Sequence, residues 1–163
     1  MPPIVEIKNV NIYQSGNLIL NDVNLTVNQG EFVYLIGKTG SGKSSLMKTL
    51  YGDLTLDQGT GRVAGYDLNA LKPKDVPYLR RKLGIVFQDF NLLNDRSVFD
   101  NLQFTLKATG WTKRPEIQAR IEMVLQQVGL VGQERKMPHQ LSGGEQQRVV
   151  IARALLNTPA IIL

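Results

Sequence analysis

The sequence contains no cysteine and a single histidine, His139. Without thiols there is no disulfide framework and no thiolate metal site, a pattern that suits a reducing compartment. With one histidine, no histidine-based catalysis is assigned. Long apolar runs are missing as well: FVYLIG and VVIA are core-sized pieces, far short of a bilayer span. The N-terminal MPPIVEIKNV has no charged leader followed by an apolar core, so no signal peptide is expected. Internal repeats, low-complexity tracts and flexible linkers are absent too. A role at a membrane would therefore need an anchor supplied by something else.

What is present is the composition of an ordinary soluble globular protein. At 163 residues, 42% hydrophobic and 20% charged, the chain has enough material for one good core and is read as one domain. A net charge of +5 raises the question of nucleic acid or an acidic surface. The basic residues are scattered, however, and Arg80-Arg81-Lys82 is the one tight cluster, read as a solvated element end before the apolar LGIVFQ. No nucleic-acid partner is expected.

Short β-rich runs alternate with turns in the first part: IVEIKNV, LILNDVNLTV and, after Gln29-Gly30, EFVYLIG. Phe32 to Ile36 is nearly continuous apolar and predicts a strand buried on both faces. SLMKTLYG carries helical spacing and stops at Gly52, DQGTGRVAGYDL reads as hairpin and turn material, and LGIVFQ reads as a second buried strand. From Ser97 onward the period becomes helical. PEIQARIEMVLQQVGL places Ile117, Ile121, Val124, Leu125 and Val128 on one face, with Pro115 at its start and Gly129 at its stop. LSGGEQQRVVIARALLNTP is a further helix, opened by Ser142 and ended by Asn157 and Pro159, and Ala160-Ile161-Ile162-Leu163 opens a strand.

Gly37-Lys38-Thr39-Gly40-Ser41-Gly42-Lys43-Ser44 fits the phosphate-loop pattern G-x-x-x-x-G-K-[ST]. Dense phosphate charge is held when successive backbone N–H groups converge on it, which requires glycines and a following helix N-terminus. Lys43 brings a full charge to the outer phosphates, and the Ser44 hydroxyl is placed to ligate Mg²⁺. A chance match is expected in about one such chain in a hundred, and here a candidate strand precedes the loop and a helix follows. The loop therefore predicts a nucleotide site with Gly37 to Ser44 and the adjoining Ser45 as its binding residues.

Leu141 to Arg148, LSGGEQQR, is a capping box: Ser142 accepts from the Glu145 amide while Glu145 reaches back to the Ser142 amide. Gly143-Gly144 leaves the first turn bare, so an anion can approach its N–H groups. An ordinary capped helix would need a packing reason for two glycines, because they weaken it.

A phosphate loop followed by LSGGEQQR resembles the ATP-binding domain of the ABC-type ATPases, and the resemblance runs the whole length of the chain. It implies an α/β P-loop NTPase fold: a RecA-like core with an N-terminal antiparallel β subdomain and an α-helical subdomain. The boundaries expected are 1–90 for the β subdomain and phosphate-loop core, 91–141 for the helical subdomain, and 142–163 for the signature helix and the start of the Walker B strand. It further implies ATP and Mg²⁺ as ligands and a head-to-tail homodimer. In that dimer Ser142, Gly143, Gly144 and Gln146 of one subunit meet the nucleotide held by the other. Tyr13 falls at the position of the aromatic that stacks on adenine. Gln88, in VFQDF, matches the glutamine that reaches Mg²⁺ and the attacking water. Val76 to Leu102, with LRRKLG and LLNDRSVFDN, is similar to the FtsE-type cell-division subgroup, whose members pair with an FtsX-type integral membrane subunit. Lipoprotein-releasing and macrolide-efflux ATPases share much of the pattern. YGDLTLDQGTGRV departs from the family's usual phrasing after the phosphate-loop helix. The location implied is cytoplasmic, peripheral on the inner face of a bacterial plasma membrane. With about 50 residues between Gln88 and Leu141, a compact helical subdomain fits and a long arm, as in soluble relatives acting on ribosomes or DNA, does not.

In this family a carboxylate just beyond the second core strand holds Mg²⁺ through water, and the next glutamate polarises the attacking water. AIIL matches that strand, so both acids are expected beyond Leu163, with the C-terminal part of the core missing. Glu145 is occupied by capping, Glu116, Glu122 and Glu134 lie in the helical insert, and Glu6 and Glu31 flank strands. The 163 residues as written are thus expected to bind ATP without appreciable turnover, and to leave apolar surface and a sheet edge exposed.

Overall fold

The alternating VEIKNVNIYQ and NLILNDVNLTV fold as an antiparallel pair, β1 (Val5–Gln14) and β2 (Asn17–Val27). Ser15 and Gly16 join them at positive φ, 51° and 80°, as a two-residue hairpin turn requires. The computed structural model describes residues 1–163, which divide into two units, Met1–Leu83 and Gly84–Leu163.

In the first unit, β3 (Gln58–Val63) pairs with the other edge of β1, and β4 (Tyr66–Asp67) pairs with β3, giving the antiparallel order β2-β1-β3-β4. Val5, Ile7, Val10 and Ile12 of β1 are buried, and the three-residue step from Ile7 to Val10 marks a bulge at Asn9, whose φ is 49°. Polar side chains hold that bulge: the Asn9 amide donates to Asn24 Oδ1 at 3.0 Å, and Asn9 Nδ2 donates to Asp22 Oδ1 at 2.9 Å. The strand β3 runs through the glycine-studded stretch, and Gly59 explains part of its composition. A Cβ there would stand 2.4 Å from the Asn9 carbonyl oxygen, at a φ of +82°. α1 (Lys43–Leu50) buries Ser45, Leu46, Thr49 and Leu50 and ends before Gly52. The short α2 (Val76–Arg81) buries Leu79, and its Arg80 donates to the Tyr51 carbonyl at 3.0 Å while lying 5.5 Å over the Tyr51 ring.

Phe32 to Ile36 departs from the sequence expectation. The segment is not a strand, and Phe32, Tyr34 and Ile36 are 81%, 78% and 89% exposed. An apolar run becomes a doubly buried strand only where strands flank it and layers cover both faces. Within Met1–Leu83 the sheet pairs β1 with β2 and β3, and no strand lies beside Phe32–Ile36. LGIVFQ differs in the same way: only Leu83 and Gly84 form a strand, β5 (Leu83–Gly84), while Phe87 is exposed.

The second unit carries the helices. α3 (Val98–Ala108) starts at Ser97, whose hydroxyl accepts from the Asp100 amide at 3.1 Å. α4 (Arg114–Gln127) and α5 (Gly143–Leu155) pack with it around Leu102, Leu106, Ile117, Ile121, Val124, Leu125, Val149 and Leu156. All of these are at most 1% exposed, so the apolar stripe read from PEIQARIEMVLQQ is the inner face of α4. Arg120 of α4 donates to the carbonyls of Leu155 and Leu156 at 2.7 and 2.8 Å, satisfying the C-terminal end of α5. The chain then enters β6 (Ile161–Ile162), which pairs with β5 through Leu163 N to Gly84 O (2.8 Å) and Val86 N to Leu163 O (2.9 Å).

Candidate functional site

The phosphate loop enters α1 without a side-chain cap. Gly42 stands at the N-cap with φ 94°, a conformation that favours glycine, and a Cβ there would sit 2.8 Å from Leu20 of β2. The amides of Lys43, Ser44 and Ser45 find no acceptor within the chain, so three consecutive donors point out of the helix start. Lys43 Nζ folds back over the loop, donating to the carbonyls of Gly37 (2.6 Å) and Lys38 (2.8 Å), with Ser41 Oγ at 3.5 Å. A Cβ at Gly37 would meet Ser41 Oγ at 2.6 Å, whereas Gly40, at φ +81°, faces open space. These residues fit a polyphosphate: free amides, one cation and a backbone that can be approached closely. Ser44 is exposed with its hydroxyl unengaged, as is the Gln88 amide. Such neutral oxygens suit Mg²⁺ that is held chiefly by substrate phosphates.

Ser45 differs from its neighbours. It is buried, and its hydroxyl donates to Gln14 Oε1 at 3.1 Å, so only its backbone amide is free for a ligand. The bond ties α1 to the residue beside Tyr13, which is half-buried at the end of β1. Gln14 went unnoticed in the sequence because nothing local marks it.

In the second unit the capping box of α5 is formed as its sequence requires. The Glu145 amide donates to Ser142 Oγ at 3.2 Å and the Ser142 amide to Glu145 Oε2 at 2.8 Å. That backbone hydrogen bond holds the Glu145 carboxyl below the usual glutamate range. The amides of Gly143 and Gly144 have no acceptor, and a Cβ at either glycine would meet nothing within 4 Å. Packing within the chain therefore does not demand these glycines, and the first turn is open to approach. Gln146 turns away from that opening, donating to the carbonyls of Pro138 (3.0 Å) and Leu141 (3.3 Å).

Gln88 lies in an exposed turn that ends in two non-glycine residues at positive φ, Phe90 (57°) and Asn91 (51°). Arg153 of α5 holds both, donating through Nη2 to the Phe90 carbonyl and through Nη1 to the Asn91 carbonyl, each at 2.7 Å. Its register could have exposed it in the sequence: Arg153 lies three and four residues after the buried Val150 and Val149, on the inward side of the helix. His139 is exposed, in a 3-10 turn (Pro138–Gln140) ahead of α5.

A phosphate loop at one helix start and an LSGG capping box at another lead directly to the family comparison. The model of the ABC transporter family matches residues 20–163. The chain belongs to the ABC transporter family. The cassette is 42% identical over 161 residues to the cell division ATP-binding protein FtsE of Streptococcus pneumoniae, covering 98% of this chain and 70% of that protein. It is 41% identical over 160 residues to the methionine import ATP-binding protein MetN of Clostridium acetobutylicum, covering 98% of this chain and 50% of that protein. Among solved structures, a dimeric ATP-binding cassette in a post-hydrolysis state bound to ADP and phosphate superposes with a TM-score of 0.84. It is 36% identical, with 97% of this chain and 72% of that one covered. No helix of the cassette is long and apolar enough to cross a membrane.

Proposed function

We propose that the cassette is the ATP-hydrolysing subunit of a membrane complex of the FtsE–FtsX cell-division type, working on the cytoplasmic face of a bacterial plasma membrane. Gly37 to Ser45 bind the triphosphate through their amides and Lys43, and Tyr13 stacks on adenine. By the family resemblance, Ser44 and Gln88 would each offer a neutral oxygen to Mg²⁺, and the ion would neutralise charge on the phosphates. Two copies associate head to tail, so that Ser142, Gly143 and Gly144 of one address the nucleotide of the other, with Gln146 setting the loop that leads into them.

The observation that carries this reading is the bare first turn of α5, two unengaged glycine amides beneath a formed capping box with nothing packed against either glycine. An isolated nucleotide-binding domain has no use for such a turn, whereas a second phosphate-facing surface does. The FtsE relatives support the cell-division assignment, since FtsE proteins from Streptococcus pneumoniae, Mycobacterium tuberculosis, Bacillus subtilis and Escherichia coli are all 41–46% identical to the chain. A second reading, solute import, is favoured by the methionine importer subunit at 41% identity. Affinity purification from membranes separates the two. The expected result is an FtsX-type subunit that remains bound in the presence of ATP; recovery of an importer's permease instead would replace the first reading with the second.

A further inference from the structure

We infer that Arg153 is a positioning residue that locks the Gln88 turn to the signature helix, so that the two nucleotide-facing points of the second unit move as one body. The inference rests on the proposed roles of Gln88 and of Ser142 to Gly144.

Three observations carry it. The turn from Phe87 to Asn91 is tight and conformationally demanding. The Phe90 amide donates to the Phe87 carbonyl at 3.3 Å, and Phe90 and Asn91 both adopt the left-handed region without being glycine. Such a turn persists when something outside it determines its shape, and the Arg153 fork does so by gripping the carbonyls of both left-handed residues at 2.7 Å. The second observation is what Arg153 lacks: none of the ion pairs of the chain includes it, so its charge is met by backbone carbonyls rather than a carboxylate. Burial pushes its guanidinium below the ordinary arginine range, a cost that an apolar residue at this position would avoid. The third is rigidity. Arg153 and Gly143 are on the same uninterrupted helix, ten residues or about 15 Å apart, and the inner face of that helix is packed through Val149, Ala152 and Leu156. A displacement at the LSGG end is therefore delivered by a stiff rod to the carbonyls two and three residues beyond Gln88. A planar five-donor fork suits this task, because one lysine ammonium cannot fix two carbonyls in a set orientation.

The test is a double-mutant cycle in the full-length ATPase with Arg153→Met, Gln88→Ala and the pair, measuring kcat and KM for ATP, together with peptide-resolved hydrogen exchange over residues 87–93 without nucleotide. Arg153→Met is expected to lower kcat about 10- to 100-fold, as loss of an orienting outer partner does. KM should change less than about twofold, and exchange across the turn should accelerate at least about tenfold. In the Gln88→Ala background the same substitution should add less than about twofold, because both act through one turn. Arg153→Lys, which retains charge and stem, carries the cycle should Arg153→Met fail to fold. Unchanged exchange in the turn, or kcat losses that multiply in the double mutant, would overturn the inference. Failure of the nucleotide assignment itself would show separately, as ATP binding that survives Lys43→Ala.

Discussion

Two helix starts leave backbone amides unengaged, and they are built in opposite ways. α1 begins on a left-handed glycine with no side-chain cap, three unengaged amides and its own cation, Lys43. α5 begins with a complete capping box, two unengaged amides and a carboxylate, Glu145, within its first turn. The first start is electropositive and incomplete by itself, so it gains most from an anion and suits permanent custody of the phosphates. The second is already satisfied at Ser142 and Glu145 and carries negative charge, so its pull on a free anion is weak. In the proposed dimer it would serve as a second wall against a phosphate that another surface holds. Under the proposed function, that difference would let one cassette bind ATP alone and act only when a second copy closes over it.

The largest expected effect comes from removing the charge of the first start. Lys43→Ala should weaken ATP binding by about 10- to 100-fold, the ~1.5–3 kcal/mol of a hydrogen bond to a charged group, and abolish turnover with it; titration with a fluorescent nucleotide checks the first part. Next is a change at the second start that leaves the first untouched. Gly144→Val should fold normally, because a Cβ there meets nothing within 4 Å. ATP affinity should stay within about twofold while kcat falls about 100-fold, the size of effect seen when one preorganised donor is lost. Equal losses in binding and turnover would erase the distinction between the two helix starts.

Smaller effects probe the capping. Ser142→Ala removes an acceptor for the Glu145 amide and should cost about 1 kcal/mol in denaturant-measured stability. The equivalent start of α1 has no such cap to lose. The last prediction concerns pH. The folded-state pKa of Glu145 is lowered, chiefly by the Ser142 amide, so its contribution is present above the ordinary glutamate range and is lost as pH falls through the depressed value. Wild type and Glu145→Gln should therefore differ slightly in stability at neutral pH and converge in acid, a comparison made by thermal melts at several pH values.

How much of this was legible in the sequence depended on whether the determinants were local. The capping box, the hairpin through Ala64-Gly65 and the inner face of α4 are written within a few residues of where they act, and the sequence pattern predicts each of them. The family's α/β cassette fold followed from two motifs. Phe32 to Ile36 misled because apolar content shows what a segment can bury, while partner strands decide whether it does. The hairpin expected in DQGTGRVAGYDL is formed by β3 and β4, but the close approach of Gly59 to the Asn9 carbonyl depends on a strand about fifty residues earlier and is not legible locally. Arg153 and Gln14 were missed because their partners lie 62–63 and 31 residues away.

The central claim, that the two helix starts work across a pair of copies, is tested most directly by mixing two impaired variants. In a head-to-tail dimer of Lys43→Ala with Gly144→Val, one nucleotide site carries both lesions and the other carries neither. ATPase activity, abolished in Lys43→Ala and about 100-fold reduced in Gly144→Val, is expected to recover on mixing in the full-length protein and to rise with the fraction of mixed dimers. Activity that stays at the level of the unmixed variants while mixed dimers form would contradict the claim.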